Sequence, residues 1–175
     1  MSYFVLAFPK ITEDDLAWIQ SIRQQQDPQY ALVDPHFTLV FGVDVDEAQL
    51  QTHVQECIQP FAQFKFVLRC AIVVKDSFSP NCQVFLLPDE GLSDLVKVHD
   101  RLYTAVLEPF LRLDIAYIPQ ITIAASPDAQ KMKQLADELN QQSFCIAGKI
   151  EEVSLVQFKD DQLCSTAVFP LQPFT

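Results

Sequence analysis

Hydrophobic and polar positions change period repeatedly along this chain, and the changes predict an alternation of strands and helices. Tyr3 to Phe8 is a short apolar run and predicts a first strand. Thr12 is placed to cap a helix whose first turn carries Asp14 and Asp15, where the helix dipole favours anions. Leu16, Ile19 and Ile22 give that helix an apolar stripe, and Asp27-Pro28 ends it. His36 to Phe41 predicts a strand. Asp46 caps a second helix with Leu50, Val54 and Ile58 at helical spacing, and Pro60 stops it. Phe64 to Val74, rich in β-branched and aromatic residues, predicts a long strand; Ser77 to Asn81 a turn; Gln83 to Leu87 a further strand. A third helix is expected from Leu92 to Leu111 with an interruption near Pro109. Ile118 to Ala124 reads as a strand, and Ser126-Pro127 as a helix start. Met132, Leu135 and Leu139 form the inner stripe of that fourth helix. Phe144 to Phe158 predicts one strand or two, with Gly148 as a bulge, and Leu163 to Leu171 the last.

Two of the predicted strands repeat a motif. Pro35-His36-Phe37-Thr38-Leu39 and Pro119-Gln120-Ile121-Thr122-Ile123 both read Pro, polar, apolar, Thr, apolar. Alternation in an extended strand puts His36 and Thr38 on one face and Phe37, Leu39 and Phe41 on the other. Likewise Gln120 and Thr122 oppose Ile121 and Ile123. After each motif comes a helix, a long strand, a turn and a strand. Gln120 lies 84 positions after His36, close to half the chain of 175 residues. The expected architecture is one α/β (α+β) domain over 1–175. It has two pseudo-symmetric lobes of mainly antiparallel sheet, outer helices and a central groove, produced by internal duplication.

Charge and composition narrow the function. The net charge of −11 and the scattered 12 Lys and Arg residues argue against an extended nucleic-acid surface but allow a small nucleotide ligand. With three glycines, Gly42, Gly91 and Gly148, the chain has no clustered glycines for a P-loop, dinucleotide fingerprint or nucleophile elbow. Five cysteines without C-x-x-C spacing predict neither a zinc site nor a disulfide framework, and they fit a reducing cytoplasm. No apolar run reaches bilayer length.

An imidazole and a hydroxyl side by side on a strand can handle a phosphate, one moving a proton and the other donating a hydrogen bond. The segment from Pro35 to Gly42 resembles the first His-x-Thr signature of the two-histidine phosphoesterase superfamily, which includes 2'-5' RNA ligases and RNA cyclic phosphodiesterases. The duplicated layout is similar from about Tyr3 to Leu171. The resemblance implies two motif strands facing each other across a groove, with two imidazoles as general base and general acid on a 2',3'-cyclic or 2'-5' phosphodiester. It further implies threonines holding phosphate oxygens, no cofactor and no metal. Carried over, it assigns His36, Thr38 and Thr122 to catalysis. Gln120 stands where the second histidine is expected, and Ala125 does not supply the basic residue many members carry after the second motif. Thr38 and Thr122 form the expected substrate contacts, and Tyr117, just before the second motif, is a candidate to stack on a base, with packing at a strand edge as the equal alternative. The implied partner is a small nucleotide or an RNA terminus, handled by a monomer without membrane attachment. Two activities fit: weakened phosphoesterase chemistry, or nucleotide or phosphate binding without turnover. His53, His99, Lys65, Arg69 and Trp18 are read as ordinary helix or strand residues, though either histidine could be a displaced catalytic partner, and Lys65 and Arg69 could face the groove.

Overall fold

The computed structural model describes residues 2–159 and 162–174. Among the described residues the order is β1 (Tyr3–Ala7), α1 (Glu13–Gln26), β2 (Phe37–Val43), α2 (Glu47–Ile58), β3 (Phe64–Lys75) and β4 (Cys82–Glu90). Then follow α3 (Leu92–Leu102), a 3-10 turn (Ala105–Phe110), β5 (Ile121–Ser126), α4 (Ala129–Gln141), β6 (Ile146–Ile150), β7 (Glu152–Lys159) and β8 (Gln162–Pro170). The strands form two four-stranded sheets, ordered β2-β1-β7-β8 and β5-β4-β3-β6, with antiparallel neighbours. The α+β class with mainly antiparallel sheets is as the alternation predicts.

The sheets are not the two halves of the sequence. Each takes two strands from the first half and two from the second. The helices are exchanged too: α1, which precedes β2, packs on β5, and α3, which precedes β5, packs on β2. One contiguous core results. It joins Phe37 and Leu39 of β2, Phe66 and Leu68 of β3, and Ile121 and Ile123 of β5 to the inner faces of all four helices. Phe37 meets Phe66 edge-on at 5.3 Å across the two sheets. A smaller cluster of Leu6, Val33 and Val156, with Phe4, Phe8 and Leu163 against it, stands apart from the main core.

Several local expectations are corrected. Phe41 does not continue the buried face. Two register shifts against β1 insert extra residues into β2, so Val40 and Val43 turn inward and Phe41 is 46% exposed. In α1, Leu16 is exposed and the inward position one turn beyond Ile19 belongs to Arg23. The third helix ends at Leu102, and Pro109 sits in a separate 3-10 turn because it lacks the amide an α-helix interior needs. β5 begins at Ile121 rather than Ile118, since Pro119 cannot donate to a ladder. Asp128, not Ser126, caps α4: its carboxylate accepts from the Lys131 amide. Of the two readings of Phe144 to Phe158, the structure has two strands: the segment divides at Glu151, with β6 in one sheet and β7 in the other. Gly148 is no bulge. It pairs with Phe66, and a Cβ there would lie 2.5 Å from the Phe66 ring and 2.6 Å from Ile11.

Candidate active site

The two motifs fold alike. His36 immediately precedes β2 and Gln120 immediately precedes β5. From Pro35 to Val40, and again from Pro119 to Ala124, exposure alternates in the same order. The proline is buried, the His or Gln partly exposed, the next residue buried, the threonine partly exposed, and the last two buried. Sequence alternation therefore placed Thr38 and Thr122 on the open side of their strands, with Phe37, Leu39, Ile121 and Ile123 underneath. Thr38 lies opposite Leu6 of β1, and Thr122 opposite Phe85 of β4. Cross-strand partners share a face, so each threonine stands beside an apolar neighbour.

His36 is set by α1. The buried Arg23 guanidinium pairs with Asp27 at 2.8 Å and donates to the Val33 carbonyl at 2.7 Å. Gln20 of the same helix donates to the Asp34 side chain at 3.2 Å. These bonds hold the loop that carries the Asp34 carbonyl, which accepts from His36 Nδ1 at 2.8 Å. A carbonyl can only accept, so Nδ1 carries a proton and the neutral ring leaves Nε2 as a free base. The Phe8 ring lies 6.0 Å from the imidazole. Burial holds the His36 pKa below the ordinary histidine value and the Arg23 charge acts the same way, against the Asp34 carbonyl and the carboxylates of Asp27 and Asp34. His36 is thus kept neutral near pH 7, the form that accepts a proton.

Gln120 is oriented by its own motif. The Thr122 hydroxyl donates to Gln120 Oε1 at 3.1 Å, so the carboxamide N–H groups remain for another acceptor. Tyr117, three residues earlier, reaches across the molecule: its hydroxyl donates to the Thr38 carbonyl at 3.0 Å. Its ring stacks on His99, with centroids 3.6 Å apart and planes at 11°. Burial raises the Tyr117 pKa, helped by Tyr103 and Asp100. One face of this ring is therefore already occupied, and Tyr117 ties the segment before Gln120 to the strand after His36. The base-stacking role expected of it would have to use the other face. Tyr103 adds a second tie, its hydroxyl accepting from the Phe41 amide at 3.1 Å.

The remaining candidates resolve plainly. His53 is buried and donates from Nε2 to the Leu102 carbonyl at 2.8 Å. His99 is 5% exposed, between Tyr117 and the Asp100 carboxylate. Arg69 spends its charge on Asp89 at 2.7 Å and Glu90 at 2.6 Å, and Lys65 faces outward on the same strand. Trp18 packs on Phe144 at 5.2 Å. All five cysteines are free. A cavity of about 440 Å³ lies under the segment from Leu111 to Tyr117, lined also by His99, Asp100 and Tyr103. Neither His36 nor Gln120 lines it. Among the described residues no group of three or more His, Cys, Asp and Glu side chains could hold a metal ion, and no helix is long and apolar enough to cross a membrane. Sequence reading missed the Arg23–Asp27 pair. Its signal was a cation one turn beyond Ile19 with an acid four residues later.

Comparison with known proteins fits this geometry. The family model of the 2'-5' RNA ligase superfamily matches residues 11–162. The chain belongs to this superfamily. A Bacillus licheniformis protein with a provisional phosphoesterase name is 31% identical over 124 residues, covering 71% of this chain and 70% of the relative. A similarly named protein of Oceanobacillus iheyensis is 24% identical over 162 residues, covering 93% and 92%. The crystal structure of TT0787 from Thermus thermophilus matches over the full length of both chains with a TM-score of 0.64 at 16% identity. Escherichia coli LigT complexed with 3'-AMP matches at a TM-score of 0.64 and 16% identity, covering 97% of each chain. Those two structures share the fold of this superfamily member.

Proposed function

We propose that this protein is a phosphoesterase acting on 2',3'-cyclic or 2'-5' phosphodiesters of a small nucleotide or RNA terminus, with one general base instead of an acid–base pair. The observation that carries the reading is the hydrogen bond from His36 Nδ1 to the Asp34 carbonyl, which leaves Nε2 unprotonated. In this reading the two motifs face one cleft. His36 Nε2 takes the proton of the attacking hydroxyl or water. Thr38, Thr122 and the Gln120 amide donate to phosphate oxygens. The fold supports a nucleotide ligand: LigT, of the same fold, has been solved with 3'-AMP, NADP+, ATP and phosphate. The protein works as a cytoplasmic monomer whose two lobes arose by duplication, a history supported by the matching exposure of the two motifs.

A second reading, a nucleotide- or phosphate-binding module without turnover, is favoured by one observation. Gln120, held by Thr122, can donate hydrogen bonds but cannot exchange a proton near neutral pH. Hydrolysis and binding of 2',3'-cyclic nucleotides by wild type and His36→Ala separate the two. Slow turnover that vanishes in His36→Ala supports the enzyme. Affinity without turnover, unchanged in His36→Ala, supports the binding module and overturns the enzyme.

A further inference from the structure

Displacement at phosphorus has two proton requirements. The attacking water must lose a proton, and a leaving oxygen that is a strong base must gain one. His36 meets the first, through the Nε2 freed by its Nδ1 bond to the Asp34 carbonyl. Nothing at the two motifs meets the second. Gln120 offers amide N–H groups with its oxygen bound by Thr122, and Thr38 and Thr122 are hydroxyls. The chain has three histidines, and the other two are committed elsewhere. His53 is bonded to the Leu102 carbonyl inside the helical layer, and His99 is stacked beneath Tyr117.

We infer that the site selects substrates by their leaving group: it cleaves phosphodiesters or phosphoanhydrides whose leaving oxygen departs as a stable anion, a phosphate or a phenolate, and is slow on those that must expel a sugar hydroxyl. The inference rests on the phosphoesterase reading and revises its substrate preference: the 2',3'-cyclic and 2'-5' phosphodiesters, which expel a sugar hydroxyl, become the slow substrates of the same site. The step balances without an acid. Water attacks phosphorus and passes a proton to His36 Nε2. The P–O bond to the leaving group breaks, and the leaving oxygen keeps the electron pair. A phosphate monoester and the leaving anion separate, and the imidazolium returns its proton to solvent. A phosphate ester's second ionisation lies at about 6 and a phenol's at about 10, so neither needs protonation as much as an alkoxide does. The Gln120 amide still stabilises charge on the phosphoryl oxygens, as a fixed dipole does.

The test uses the 4-nitrophenyl ester of thymidine 5'-monophosphate, a series of its ring-substituted phenyl analogues, and 2',3'-cyclic AMP. Gln120→His should raise hydrolysis of cyclic AMP about 100-fold or more, the ordinary contribution of a placed acid, and change the nitrophenyl ester less than about twofold. The phenyl series needs no variant: in wild type the rate should fall steeply as the leaving phenol becomes less acidic. A flat series in wild type, or equal gains on both substrates in Gln120→His, overturns the inference and leaves the phosphoesterase reading standing if His36→Ala is inactive. Hydrolysis of none of these substrates by wild type or Gln120→His overturns both.

Discussion

The Tyr117 hydroxyl donates to the Thr38 carbonyl at 3.0 Å, so the segment leading into the second motif is bonded directly to the strand of the first. Their separation in sequence is 79 residues, and no local interaction could set it. Tyr117→Phe removes this bond while keeping the ring stacked on His99. It should cost about 1 kcal/mol of stability, the ordinary value of one such bond, and lower kcat more than it raises KM. Urea unfolding together with steady-state kinetics checks both. A variant with wild-type stability and kcat would mean the tie is incidental.

Two desolvated histidines, the partly exposed His36 and the buried His99, make stability depend on pH. Burial lowers the pKa of His36 and of His99, the latter against an upward pull from Asp100. Between the lowered and ordinary values the unfolded chain binds more protons than the folded one, so stability rises with pH. The contribution is complete above about pH 6.5, the unfolded value, and is lost as the pH falls through the folded values. The melting temperature should be level at neutral pH and decline on acidification. His99→Gln should shrink that decline; an unchanged acid limb would refute the assignment.

Activity should follow a single ionisation. His36 works unprotonated, so kcat/KM should rise with pH, with its midpoint below the ordinary histidine value, and then stay level through neutrality. With glutamine at position 120 there is no second histidine to produce a falling limb. A bell-shaped profile would show that another proton donor takes part.

Arg23 is a buried cation whose loss leaves Asp27, 8% exposed, without its partner. Arg23→Met should destabilise by roughly 3–5 kcal/mol and also release the loop bearing the Asp34 carbonyl, lowering turnover. Arg23→Met combined with Asp27→Leu should recover part of the stability without the turnover. Chemical denaturation of both variants measures the first, and assays at saturating substrate measure the second. Full recovery of turnover in the double variant would remove Arg23 from the positioning of His36.

Gly148 of β6 pairs with Phe66 of β3. A Cβ would sit 2.5 Å from that ring, which itself packs on Phe37 beneath the first motif. Gly148→Ala should cost about 1–3 kcal/mol, the usual penalty for overfilling a packed core. A denaturation midpoint equal to wild type would show that the ring can retreat freely.

Much of this was legible in the chain itself. Period-two alternation around Thr38 and Thr122, caps at Thr12 and Asp46, and stops at Asp27-Pro28 and Pro60 are local signals. They located α1 and α2 closely and the motif strands to within a few residues. Some boundaries turned on local chemistry at Pro109, Pro119 and Asp128, and other features were decided by distant partners. Phe41 turned outward because β1 imposes bulges on β2. Phe144 to Phe158, read as one strand or two, is two, because its two ends pair with strands of different sheets.

By itself the sequence determined the alternation of elements, the open placement of His36, Thr38, Gln120 and Thr122, and the absence of a titratable group at position 120. Such properties depend on side-chain identity and on spacing of a few residues. Only the tertiary structure decided which strands share a sheet, that α1 packs on β5 while steering His36, that Arg23 is buried, and that Tyr117 bonds to Thr38. Those relationships join residues far apart in the chain. They exist only once burial of one common core brings the two halves together.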